Sequence, residues 1–111
     1  MKIKCEEKNE YVVICLSGKI RGGPDATVFH GHIHEFINAN KKNIIVDLAK
    51  VEWITSVGLG MLTATLTTTK REGGQFKISE IPEKVLSIIT IAGLVKAFDI
   101  YDTLEEAIQS L

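Results

Sequence analysis

The segment Asn43–Leu48 reads Asn-Ile-Ile-Val-Asp-Leu, a near-continuous apolar run. Such a strand is buried on both faces, so it belongs inside a sheet that other elements cover. Apolar residues elsewhere recur at helical spacing: Val28, Phe29, Ile33, Phe36 and Ile37 predict an amphipathic helix over Ala26–Asn40, ended by Lys41-Lys42-Asn43. After Val51-Glu52-Trp53-Ile54, the stripe Leu59, Leu62 and Leu66 predicts a second helix, stopped at Gly73-Gly74. Gln75–Ser79 is a strand, and Pro82 opens a third helix through about Ala92, closed by Gly93. Phe98–Tyr101 is a short strand, and Asp102 or Thr103 caps a last helix over Leu104–Leu111. Near the start, Lys2–Cys5 and Tyr11–Leu16 flank a polar stretch and read as a β-hairpin, with Gly18 breaking the pattern.

The order is ββαβαβαβα, which predicts an α/β fold with parallel crossovers after an antiparallel hairpin. At 111 residues the chain fits one domain, residues 1–111, with no internal repeat or linker. Thirteen basic residues against fourteen acidic ones give a net charge of -1, and neither half is a basic arm, which argues against a nucleic-acid partner. No run approaches the roughly 20 apolar residues of a membrane helix, and the charged start is no secretory signal. A cytoplasmic protein without a membrane partner is expected. Cys5 and Cys15 are expected as reduced, partly buried thiols.

Several residues invite chemistry. Thr55-Ser56 stands where the buried strand passes into a helix, the end of a sheet where α/β ligands gather. Ser56 is placed to cap that helix, its hydroxyl beside unpaired backbone donors and the positive helix end, a place that suits a phosphate. Ser56-Val57-Gly58 is half of a nucleophile elbow, but Ile54 stands where that motif has its first Gly, and every His precedes the Ser. The chain is therefore not read as an enzyme, and no cofactor is expected. His30, His32 and His34 cluster in the first helix without a third ligand on one face, so they read as solvated histidines and no metal site. Gly22-Gly23 reads as a turn before a helix, and Trp53 as core or near-core packing.

The stretch from Val46-Asp47-Leu48 through Thr55-Ser56-Val57-Gly58-Leu59-Gly60-Met61-Leu62 resembles the signature of the STAS family, which includes bacterial anti-sigma factor antagonists. Gly73-Gly74 before a strand, then Gly93-Leu94, Phe98-Asp99-Ile100 and an acidic final helix extend the likeness over essentially the whole chain. The resemblance implies the STAS (SpoIIAA-like) fold, a small mixed β-sheet with helices packed mainly on one side. It also implies transcription regulation by partner switching. The unphosphorylated antagonist binds an anti-sigma factor serine kinase and releases the sigma factor. Phosphorylation ends that interaction, and a serine phosphatase resets the cycle.

Ser56 falls at the phosphoacceptor position, with Thr55 the competing hydroxyl. The implied partner contacts are Thr55, Ser56, Val57, Gly58, Leu59, Met61 and Arg21. Two positions depart from the family pattern: Thr55 replaces its Asp, and Arg21 stands where many antagonists carry an acidic residue. The alternative implied by the family is a STAS scaffold or ligand-sensing module whose Ser is never modified.

Overall fold

Strand and helix alternate along the chain and give a sheet whose strand order follows the sequence. The computed structural model describes residues 1–111. Strands β1 (Lys2–Glu7) and β2 (Val12–Ile20) are followed by α1 (Pro24–Asn38), β3 (Asn43–Ile54), α2 (Ser56–Arg71), β4 (Gln75–Ser79), α3 (Glu83–Ile91), β5 (Asp99–Tyr101) and α4 (Leu104–Gln109). The sheet order is β1-β2-β3-β4-β5, with β1 antiparallel to β2 and all later pairs parallel. Three successive crossovers of the usual right hand, all advancing in one direction, bring α1, α2 and α3 to the same face.

That face carries the core. A single cluster of 22 buried residues joins Ile14, Ile44, Val46 and Ile78 of the sheet to Phe29 and Ile33 of α1, Leu62 and Leu66 of α2, and Val85 and Ile89 of α3. The other face is covered more thinly. Val13 and Ile45, paired across β2 and β3, and Ala107 of α4 are buried outside the main cluster, and α4 packs on β3, β4 and β5. Lys77 shares the Ile45 side of β4 and is buried. Burial pulls its pKa down, but Asp99 Oδ2 at 2.7 Å and the Tyr101 hydroxyl at 3.2 Å more than offset this and raise it.

Helix ends are set by local chemistry. Each of the three crossover helices closes with two backbone bonds reaching back over its last turn, Asn40 N–H to Ile37 with Lys41 to Phe36, Gly73 to Lys70 with Gly74 to Thr69, and Gly93 to Thr90 with Leu94 to Ile89. This is the Schellman arrangement, with Asn40, Gly73 and Gly93 left-handed. The first helix thus stops at Asn38, two residues before the expected end, because Asn40 turns the chain rather than Lys41–Asn43.

Two further expectations are corrected. Gly18 does not end the second strand, which runs to Ile20 by absorbing register shifts between Cys15 and Ser17 and between Gly18 and Lys19. Trp53 is not core: it is 46% exposed. β4 pairs with β3 only up to Asp47, so the outer half of β3 is flanked by β2 alone. Along it Val51 and Ile54 turn inward, whereas Glu52 and Trp53 face solvent.

The outer ends of β2 and β3 support the first turn of α2 at very short range. A Cβ on Gly58 would collide with the Ile20 carbonyl oxygen, whereas one on Gly60 would meet nothing within 4 Å. Gly58→Ala should therefore destabilise the fold by about 2 kcal/mol or more, lowering the melting temperature by roughly 8 °C or more. Gly60→Ala, two residues on and exposed, should hold or raise stability by up to about 1 kcal/mol through helix propensity. Thermal denaturation of the pair checks the contact, and equal losses in both variants would refute it.

Candidate functional site

The junction of β3 and α2 gathers the sequence-selected residues. Thr55 has extended backbone, and its Oγ1 accepts the Gly58 N–H at 2.9 Å, so Thr55 is the N-cap of α2. The same hydroxyl lies 3.3 Å from the Arg21 carbonyl and 3.5 Å from that of Ile20, and donates toward them. The Thr55 N–H donates to the Ile20 carbonyl at 3.0 Å. Thr55 is thus bonded on both sides, into the helix and into the end of β2. Ser56 is not the cap, contrary to the sequence expectation: it is the first helical residue, exposed, and its hydroxyl makes no hydrogen bond within the protein. The two adjacent hydroxyls have divided the roles, one structural and one free.

The loop after β2 closes one side of this site. Arg21 and Gly23 are exposed and Gly22 is buried, with φ of 82°. A Cβ on Gly22 would lie 2.7 Å from Val57 Cγ1, so the loop packs against the first turn of α2 through a residue with no side chain. Val57 itself is 68% exposed. The first turn of α2 carries no acidic residue, leaving the positive helix end unopposed there.

On the other side of Ser56 an apolar groove of about 620 Å³ runs between α2 and α3. Its walls include Leu59, Gly60 and Ala64 from α2 and Ile88 and Ile91 from α3, and Ser56 lies at its margin. Ile91 is 86% exposed, an unusual state for an isoleucine on a helix. The sequence reading missed this groove. Its signal was present, because Ile88 and Ile91, with Ala92 at the C-cap, form a second apolar stripe along α3 beside the buried Val85 and Ile89.

The expected contact residues therefore divide. Ser56, Val57 and Arg21 are accessible. Gly58, Leu59 and Met61 are buried, Leu59 and Met61 within the core cluster; Leu59 still reaches the floor of the groove, whereas Gly58 and Met61 shape the surface from beneath. The reason is their position on the stripe of α2 that faces the sheet.

The remaining candidates lie elsewhere. His30 and His34 sit one turn apart on α1; burial and the neighbouring His34 lower the His30 pKa. No group of three or more His, Cys, Asp or Glu side chains is arranged to hold a metal. Cys5 and Cys15 are half-buried and unpaired, and burial raises the pKa of both thiols. They oppose Ile14 and Lys4 respectively across the hairpin, which puts them on opposite faces of the sheet. No helix is long and apolar enough to cross a membrane.

Comparison with known proteins places this geometry. The STAS domain profile matches residues 2–107. The chain belongs to the STAS domain family. Its relatives include a Thermotoga neapolitana protein named as a proposed anti-sigma factor antagonist, 31% identical over 103 residues that cover 92% of this chain and 91% of that one. Among solved structures, a Thermotoga maritima protein, again named as a proposed anti-sigma factor antagonist, superimposes with a TM-score of 0.87 at 26% identity, covering 97% of this chain and 92% of that one. The Bacillus cell fate determinant SpoIIAA, in its phosphorylated form, shares the fold with a TM-score of 0.75 at 20% identity over 98% of both chains. This STAS domain thus has the mixed five-stranded sheet with three helices on one face and a short fourth helix on the other.

The division of roles at the helix start has a stability consequence. Thr55→Ala removes the cap and should cost about 1 kcal/mol, within a range of roughly 0.5–2. Thr55→Asp and Thr55→Ser should recover most of it, because each keeps an acceptor for the Gly58 N–H. Ser56→Ala should stay within about 0.5 kcal/mol of the parent. Chemical denaturation of the four variants checks the assignment; a larger loss at Ser56 than at Thr55 would reverse it.

Proposed function

We propose that this STAS domain is an anti-sigma factor antagonist whose binding of an anti-sigma factor kinase is switched off by phosphorylation of Ser56. The observation that carries the reading is the free, exposed Ser56 hydroxyl at the first position of α2, beside a Thr55 hydroxyl already committed to the cap. Support also comes from relatives named as anti-sigma factor antagonists and from the phosphorylated form of SpoIIAA, which has the same fold. In the phosphoryl transfer Ser56 Oγ bonds to the γ-phosphorus of ATP, the bond to the bridging oxygen breaks, ADP leaves, and the hydroxyl proton passes to a base of the kinase. A serine phosphatase reverses the modification by hydrolysis.

The unphosphorylated surface is apolar: Val57, the small residues Gly60 and Ala64, and the exposed Ile91 surround Ser56 or line the groove beside it. A phosphate brings a charge of about -1.5 to -2 to that surface. Orphan backbone N–H groups at the helix start donate to its oxygens, so the fold tolerates the group. The partner does not, because burying it against an apolar contact costs desolvation. A penalty of about 3 kcal/mol lowers affinity on the order of 100-fold. The groove also suits the second reading, a ligand-sensing STAS module, in which an apolar small molecule occupies the space beside Ser56 and no modification occurs.

Incubation with the cognate anti-sigma factor kinase and ATP, read by intact mass, separates the readings. One phosphate is expected on the parent and on Thr55→Ser, and none on Ser56→Ala. The phosphorylated protein should bind the kinase on the order of 100-fold more weakly, with Ser56→Ala retaining affinity. Full incorporation into Ser56→Ala, or undiminished affinity after phosphorylation, would overturn the proposal.

A further inference from the structure

We propose that Arg21 is an intramolecular clamp for a phosphate on Ser56, an inference that rests on the reading of Ser56 as phosphoacceptor. Three observations converge on it. The Arg21 carbonyl lies 3.3 Å from Thr55 Oγ1, so the backbone of Arg21 is hydrogen-bonded to the residue next to Ser56. The following residue, Gly22, packs on Val57, the residue after Ser56, with no side chain between them. The β2–α1 loop is therefore held against both chain neighbours of the serine. Arg21 itself is exposed and belongs to none of the ion pairs of the chain, which join the N-terminal amine to Asp25, Lys8 to Glu6, Lys41 to Glu7 and Lys77 to Asp99.

The surrounding charges favour this pairing. On the groove side of Ser56, α3 and the turn after it contribute Ile88, Ile91, Ala92 and Leu94, none ionisable. The first turn of α2 carries no acidic residue. On α1, Asp25 is already engaged by the N-terminal amine at 3.4 Å. On β3 the exposed Glu52 lies four residues before Ser56, and β2 adds the exposed Lys19 two residues before Arg21. A guanidinium presents paired N–H donors matched to two phosphate oxygens, and the long arginine stem lets it swing from solvent onto a group on the adjoining turn.

The clamp makes the switch act on two charges. In the unmodified protein Arg21 is a free cation at the rim of the apolar surface. After modification a dianion is added and the cation is withdrawn to pair with it, so the rim changes sign. The paired phosphate is also screened from attack, which lengthens the life of the modified state.

The test uses protein with phosphoserine installed genetically at position 56, so it needs no kinase. Phosphorus NMR then follows the second ionisation of the phosphate, which lies near pH 6 in an ordinary phosphoserine. An adjacent cation favours the dianion, so the parent should titrate about one pH unit below Arg21→Ala and Arg21→Gln, with Arg21→Lys between them. The contribution of the helix start is common to all four and cancels. The gap should narrow at high ionic strength, as expected for an exposed pair. A broad-specificity serine phosphatase should remove the group several-fold faster from Arg21→Ala than from the parent. Coincident titration curves, or equal hydrolysis rates, would overturn the clamp. Failure of kinase labelling at Ser56 with the titration gap intact would instead sink the phosphoacceptor reading and leave the clamp chemistry standing.

Discussion

The contact between the Ile20 carbonyl and the first turn of α2 organises this molecule. A parallel β-α-β crossover must return its helix to the sheet, and here the helix begins against the backbone that ends the neighbouring strand. Gly58 permits that approach because a Cβ would strike the carbonyl oxygen. With the helix start pressed to β2, Thr55 lies within bonding range of Ile20 and Arg21, and its hydroxyl serves both the cap and the loop. Gly22 completes the closure from the other side by packing on Val57. Two glycines and one threonine thus fix where Ser56 stands.

On the proposal that Ser56 is the phosphoacceptor, this arrangement lets the residue be modified without changing the fold. The cap hydroxyl is held inward and the next hydroxyl, one residue on, is left in solvent. Thr55 supplies the acceptor that the cap requires and brings no negative charge. Together with the exposed Arg21, whose carbonyl accepts from the Thr55 hydroxyl, this shifts the local field toward positive. Both residues act in the same direction, and on the proposed reading both favour a phosphate on Ser56.

Much of the fold was legible in the sequence because its signals are local. Ile44–Leu48 announces a strand buried on both faces, and helical spacing marks the first helix through Phe29, Ile33, Phe36 and Ile37, though Val28 of the same stripe lies exposed. Thr103, one of the two expected caps, starts α4 by accepting the Glu106 N–H. The errors came where tertiary context decides. Ser and Thr are comparable caps, and the choice of Thr55 over Ser56 depends on the Ile20 and Arg21 carbonyls, thirty-five and thirty-four residues away in the chain. Trp53 reads as core on composition, yet β3 outruns β4 and leaves its outer half facing solvent. Leu59 was legible as part of the stripe with Leu62 and Leu66, yet it and Met61 read as partner surface, because the sequence does not show that this side of α2 is the one against the sheet. The groove beside Ser56 escaped notice because its walls come from two helices: the apolar stripe through Ile88 and Ile91 is visible in the sequence, but the α2 residues that face it are brought there only by the fold.

The central claim is that Ser56 presents a free hydroxyl on a preassembled frame, so that modification alters a surface and leaves the architecture intact. Amide correlation spectra of the unmodified protein and the protein carrying phosphoserine at 56 measure this directly. Shifts confined to the β2–α1 loop, the first two turns of α2 and the facing part of α3, with the amides of β3 and β4 unmoved, are the expected result. Shifts spread through the sheet, or the loss of dispersed signals, would show that phosphate reshapes the fold and would contradict the claim.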